Sequence, residues 1–221
     1  MDIKEVYTAI NSDQRVRQLV KTAPLNIIER MQVKHFDSKQ FILHQGEQYQ
    51  STYLLVKGRG KGFLNSPSGE QVVLDVYDAG MFLGEQEAII NRPYSASIIN
   101  ISPITVLAIR NADFVEWSQR DHRFADQLIS NLSAQIYHLT KRMERYSMHS
   151  ALQQIGLFLL NCADEHIPIT RERITYEVDT SYRNINRVLK RLADLDVIRI
   201  DHATIKITDY QTLRKIVETE D

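Results

Sequence analysis

From about residue 34 to residue 110 apolar and polar positions alternate, as in "TYLLVKG", "EQVVLDVY" and "ITVLAI". A period of two buries one face of a strand and wets the other. Turn-forming runs separate the stretches: "QGEQ", "KGRGKG", "SPSGE", "DAG" and "NRPYS". Several short strands spaced by such turns predict an antiparallel barrel or roll. Residues 1–31, before it, read as helical. After Asn111 the period changes, and neither glycine nor proline occurs until beyond Ser147. There Ile129, Leu132, Ile136, Leu139, Met143 and Tyr146 recur at alternating steps of three and four, the spacing of a coiled-coil seam. Polar Gln135, His138 and Arg142 flank the stripe and keep it narrow. A helix lying on its own barrel needs a wide apolar face, so the stripe predicts a helix that pairs with its copy in a homodimer.

The remainder returns to helices. "SALQQIGLFLLNCAD" is one, and Thr170 is placed to cap a second, "RERITYEV". Asp179 marks a turn, and Thr180 or Ser181 caps a third, "TSYRNINRVLKRL". "DVIRIDHATIKITD" then reads as two short strands around a tight turn at Asp201–Thr204. The predicted fold class is α+β: a β-roll over 1–110, a long dimerisation helix over 111–147, and a helical domain with a two-stranded wing over 148–221.

Composition narrows the function. The hydrophobic fraction of 43% and charged fraction of 25% are those of a globular chain. No apolar run approaches the roughly 20 residues that span a bilayer. The N-terminal segment is amphipathic and charged, without a signal-peptide core, so the expected location is cytoplasmic, with no membrane partner. Cys162 is the only cysteine. An intrachain disulfide, a CxxC redox site and a multi-cysteine cluster are thereby excluded, and the thiol in "GLFLLNCADE" reads as a small buried hydrophobe. No metal site is expected. The net charge of −1 argues against indiscriminate binding to nucleic acid. Locally the balance differs: between Arg171 and Arg191 six cations (171, 173, 183, 187, 190, 191) face three anions (172, 177, 179), a surplus of three.

That surplus is ordered. On the third helix Ile185, Val188, Leu189 and Leu192 share one face, while Arg183, Arg187 and Lys190 share the opposite one. Helix, turn, helix with an outward cationic row, then a wing describes a winged helix-turn-helix. Ile174 and Val178 of the first helix would pack on Ile185 and Leu189 of the second. A major groove admits one helix, and arginine bonds both acceptors of a guanine edge. Asn186 flanks this face, and Tyr182 stands at its edge. Arg171 and Arg173 are placed for phosphates, which position without reading sequence.

In order and spacing the chain resembles the Crp/Fnr family of bacterial transcription regulators. The resemblance is carried by "ILHQGEQYQSTYLLVKGRGKGFLNSPSGEQVVLDVYDAGMFLGE", "NLSAQI" and "ITRERITYEVDTSYRNINRVLKRL", and runs from about residue 34 to 215. "SYRNINRVL" also resembles the YeiL-like members. The family implies a β-roll effector domain, a dimer helix, a DNA-binding domain and, for an activator, RNA polymerase as partner. Its Gly-Glu pair matches Gly84-Glu85, whose backbone cradles a phosphate and whose glutamate accepts a ribose hydroxyl. A structural reading of that pair, a glycine turn with the glutamate capping backbone, stands beside it. The Arg-Ser pair that follows in the family is Tyr94-Ser95 here, so the phosphate-neutralising arginine is missing. Arg92 lies two residues earlier, with Pro93 between. The Thr-Ser pair that meets the base falls near Arg142–Glu144, where neither hydroxyl occurs. Cyclic AMP is therefore not the expected effector; another small molecule, or none, is. In the recognition helix Tyr182 and Arg183 stand where the family often has Arg-Glu, and Arg187 retains the later arginine, so the operator should differ.

Other classes fare worse. An Fnr-type oxygen sensor needs several N-terminal cysteines. A haem sensor needs an axial ligand, and lone histidines such as His35, His44, His122, His138 and His149 are more often surface or core. A cupin-type enzyme needs clustered histidines and would not explain the wing, so no catalytic residue is expected. A ligand-independent repressor of the same fold stays open.

Overall fold

The computed structural model describes residues 3–65, 71–178, 180–202 and 204–219, with the side chains of 142, 143 and 145–148 excepted. Three helices open the chain, α1 (Ile3–Ser12), α2 (Gln14–Val20) and α3 (Leu25–Ile28). Eight strands follow with one helix among them: β1 (Gln32–Phe36), β2 (Ile42–Leu43), β3 (Ser51–Lys57), β4 (Gly60–Asn65), β5 (Gln71–Tyr77), β6 (Phe82–Leu83), α4 (Glu85–Ile90), β7 (Ser97–Asn100) and β8 (Ile104–Arg110). They form two antiparallel four-stranded sheets, ordered β1-β8-β3-β6 and β2-β7-β4-β5. The alternation in "TYLLVKG" and "ITVLAI" becomes the central pair, β3 against β8, with Leu54 opposite Leu107 and Leu55 opposite Val106.

Past the roll come α5 (Asn111–Arg120) and α6 (His122–Met148). The single helix expected over 111–147 is thus two. Asp121 breaks it: its carboxylate caps α6 by accepting from the N–H groups of Arg123 and Phe124, and also accepts from Trp117 Nε1 and the Thr22 hydroxyl. Helix α5 belongs to the roll. Phe114 and Trp117 are fully buried, and Trp117 stacks on Phe124 with ring centroids 3.6 Å apart. Such aromatic burial holds the start of α6 on the roll.

The last elements are α7 (Ala151–Asp164), α8 (Arg171–Glu177), α9 (Tyr182–Asp194), β9 (Ile198–Asp201), β10 (Thr204–Ile207) and α10 (Tyr210–Thr219). Ser150 and Gln153 form a capping box on α7, Thr170 caps α8, and Ser181 rather than Thr180 caps α9. Ile174, Val178, Ile185 and Leu189 share one core with Cys162, whose thiol is buried. The wing is the expected antiparallel pair. Helix α10 is additional to the sequence reading and packs on α7, where Gly156 lets Val217 approach. By contacts the chain divides into two compact units, Met1–Leu64 with Asp75–Gln135, and Asn65–Leu74 with Ile136–Asp221.

Candidate effector pocket and nucleic-acid interface

The interior of the roll is aromatic. Tyr49, Tyr53, Tyr77 and Phe36 pack against a buried core of Phe41, Leu43, Leu55, Leu83, Tyr94, Ile98, Ile104 and Val106. Of the five residues expected at the effector site, Gly84, Glu85 and Tyr94 come together inside, while Arg92 and Ser95 are exposed. Gly84 has φ of +86° and leads into α4. Glycine is required there twice over: the conformation is left-handed, and a Cβ would fall on the Tyr94 hydroxyl and 2.5 Å from its Cζ. The Tyr94 ring thus lies directly against the Gly84 backbone. Its hydroxyl reaches the Leu83 carbonyl at 3.5 Å, and its ring meets that of Tyr49 edge-on with centroids 5.1 Å apart. Burial holds the Tyr94 phenol well above its ordinary pKa, so it is a neutral donor at physiological pH.

Glu85 is buried and accepts from Gln135 Nε2 at 3.3 Å, and Gln135 in turn accepts from Gln86 Nε2 at 2.8 Å. Burial pushes the Glu85 carboxyl up to about 7, with the charge of Glu87 adding to the shift. In the unfolded chain the same group titrates near about 4.3. Its contribution to stability is therefore fully present at low pH and is lost as pH rises from about 4 to 7. Glu85→Gln is expected to flatten that dependence and to stabilise the protein by about 2–4 kcal/mol at pH 8, read as the difference in unfolding free energy between pH 5 and pH 8. An unchanged pH profile would remove Glu85 as its source.

Three side chains here escaped the sequence reading. Glu87 Oε1 accepts from both the N–H and the hydroxyl of Ser95, at 3.1 and 2.8 Å. Gln135, read there only as a polar flank of the stripe, is the partner of Glu85. Tyr49 braces Tyr94. None carries a motif, because each acts through a partner between 8 and 50 residues away.

On α6, Ile129, Ile136 and Leu139 are exposed, Ile136 at 64%. Leu132 is half-buried against the core of the roll together with buried Phe124 and Leu128. The expected seam thus keeps three outward residues in this chain, while Leu132 serves the roll. The side chains of Met143 and Tyr146 lie outside the described residues.

On α9, Arg183, Arg187 and Lys190 are exposed and Ile185, Val188, Leu189 and Leu192 buried. Tyr182 is exposed at the N-terminal edge. Arg187 donates to Asn184 Oδ1 at 2.6 Å, and Asn184 donates to Thr180 Oγ1 at 2.8 Å. Arg171, expected as a phosphate contact, is half-buried. Its Nη1 donates to Asn186 Oδ1 at 2.9 Å, tying α8 to α9, and its Nε has no partner among the described residues. The tie uses one of the two lone pairs of the Asn186 oxygen. Arg173 is partly exposed two residues later. On the wing, Arg199 and Lys206 stand directly opposite across the ladder, both exposed. No ion pair joins either to a carboxylate among the described residues. Facing like charges repel, and both were missed because their pairing depends on strand register.

The profile described as Cyclic nucleotide-binding domain matches residues 33–121. The Cyclic AMP receptor protein of Thermus thermophilus is 22% identical over 179 residues, covering 79% of this chain and 83% of the relative. The cAMP-activated global transcriptional regulator CRP of Salmonella typhimurium is 24% identical over 189 residues, covering 79% and 89%. This chain is a Crp/Fnr homologue. Its fold agrees with that of a putative Crp/Fnr regulator from Eubacterium rectale, at 15% identity, TM-score 0.68 and coverage of 95% and 100%. It also agrees with the c-di-GMP responsive global regulator CLP of Xanthomonas campestris, at 16% identity, TM-score 0.67 and coverage of 84% and 100%. The relatives of this Crp/Fnr homologue are transcription regulators rather than enzymes. Among its described residues no helix is long and apolar enough to cross a membrane.

Proposed function

We propose that this Crp/Fnr homologue is a dimeric, sequence-specific DNA-binding regulator of the cytoplasm, and that cyclic AMP does not control it. Two copies pair along α6 through Ile129, Ile136 and Leu139, with Met143 and Tyr146 continuing the seam by their spacing. Each α9 enters a major groove, so the operator is an inverted repeat with half-site centres about one helical turn apart, roughly 34 Å. The observation that carries this reading is the exposed row Arg183, Arg187 and Lys190 on a helix whose other face is fully buried. A solvated surface needs no such order, whereas base edges demand cations in register along one helix face. Arg173, Arg199 and Lys206 supply phosphate contacts around it, and Arg171 holds Asn186 in position. RNA polymerase is a partner if the regulator activates.

Tyr94 supports the second half of the proposal. A cyclic phosphodiester is a permanent anion, and stripping its water is repaid by charge-assisted bonds. At the place of the arginine the inward residue is a neutral phenol, and Arg92 is exposed. One missing charge-assisted bond weakens binding by about 1.5–3 kcal/mol. An uncharged effector, or none, fits what remains.

Selection of bound sequences from random DNA tests the reading. Arg187→Ala is expected to relax preference at one base position and to lose about 1–3 kcal/mol on the selected operator. Arg173→Ala is expected to weaken all sequences alike and to lower the salt slope by about one. Equal loss on specific and random DNA would show that Arg187 reads no base.

A further inference from the structure

We propose that the roll carries its own ligand, with the Glu87 carboxylate in the place of a bound anion and the Tyr94 phenol in the place of a bound ring, so that the regulator binds DNA without an effector. Two sets of bonds point to it. Glu87 puts one carboxylate oxygen on both donors of Ser95, the N–H at 3.1 Å and the hydroxyl at 2.8 Å. A backbone N–H beside a hydroxyl on one anionic oxygen is how proteins hold phosphate or carboxylate ligands; here the anion belongs to the chain.

Tyr94 is fixed at every end. Its N–H donates to the Glu47 carbonyl at 2.8 Å, and its carbonyl accepts from the Gly46 N–H at 2.8 Å. Its hydroxyl reaches Leu83, its ring lies on Gly84, and Tyr49 stands edge-on to it. Tyr49 is itself held, accepting from the His44 N–H and donating to Glu47 Oε2. Swinging the ring out would expose a buried aromatic and leave a cavity beside Tyr49 and Gly84. Charge closes the site further. The carboxylates of Glu85 and Glu87 lie close enough to act on Tyr94, so an entering phosphate meets like charge there.

Internal occupancy makes a prediction that a missing arginine alone does not. If only a cation were absent, Tyr94→Arg would restore nucleotide binding. With Glu87 seated on Ser95, the new guanidinium has an internal carboxylate to pair with, so Tyr94→Arg alone gains little and Glu87 must also go. Calorimetry with cyclic AMP on the full chain is expected to show no binding by the wild type at about 1 mM. The Glu87→Ala/Tyr94→Arg double variant is expected to bind at least about tenfold more tightly than Tyr94→Arg alone. Glu87→Gln in the Tyr94→Arg background serves if the alanine double variant fails to fold by circular dichroism. Wild-type binding in the micromolar range, or equal affinity of the single and double variants, overturns the proposal.

The DNA half rests on the regulator reading and is tested separately. Protein freed of small molecules by unfolding and refolding is expected to bind its selected operator with the affinity of the protein as purified. A loss of about tenfold or more, restored by the small-molecule fraction of the producing cells, overturns effector independence. If no DNA sequence is selected at all, the regulator reading fails, while the cyclic AMP titrations still decide what occupies the roll.

Discussion

Ile136→Asp is expected to leave the chain monomeric at micromolar concentration and to lower its affinity for an inverted-repeat operator by about a hundredfold or more. Ile136 is 64% exposed in the single chain, so the substitution removes little packing within it, and each unit should keep its melting midpoint. In a parallel pair the same position faces its own copy. Two carboxylates would then meet across the seam in a desolvated place, without a partner, which costs several kcal/mol. Operator affinity falls further than the lost contacts alone imply, because one copy no longer presents the second recognition helix at high local concentration. Sedimentation velocity and operator titration together check this. A wild type that sediments as a monomer at micromolar concentration ends the dimer proposal.

Leu189→Ala carries the second large effect, on stability. Leu189 is fully buried, with Ile174, Val178, Ile185 and Ile205 in the same core. Truncation leaves a cavity that rigid neighbours close only partly, at about 2–5 kcal/mol. Thermal unfolding should show the unit holding α9 melting earlier, with the roll unchanged. Arg183→Ala, six residues back on the exposed face, is the control: about 0.5 kcal/mol or less in stability, with weaker operator binding. Equal destabilisation by the two variants would mean that the cationic face of α9 is packed rather than presented.

The two helix faces show why so much of this chain was legible. A period near 3.6 states which side of α9 meets the core, and a period of two states which residues of β3 and β8 turn inward. Caps at Thr170 and Ser181 are local bonds between residues three apart. The break at Asp121 was not legible. Aspartate inside a helix pattern is unremarkable until its second oxygen finds Trp117 and, 99 residues back, Thr22. Leu132 likewise joined the seam by spacing, yet half of it is buried on the roll, because the start of α6 has to satisfy the roll core as well.

By itself the sequence determined the α+β architecture, the buried and cationic faces of α9, the wing and the absence of a phosphate-binding arginine beside Ser95, since each follows from residue type and local period. The tertiary structure alone decided that Tyr94 lies on Gly84, that Glu87 occupies the donors of Ser95, that Arg171 is tied to Asn186 and that Arg199 faces Lys206. Those pairings depend on chain segments brought together by packing and strand register, and a hydrogen bond between distant residues leaves no period along the chain for either partner to show.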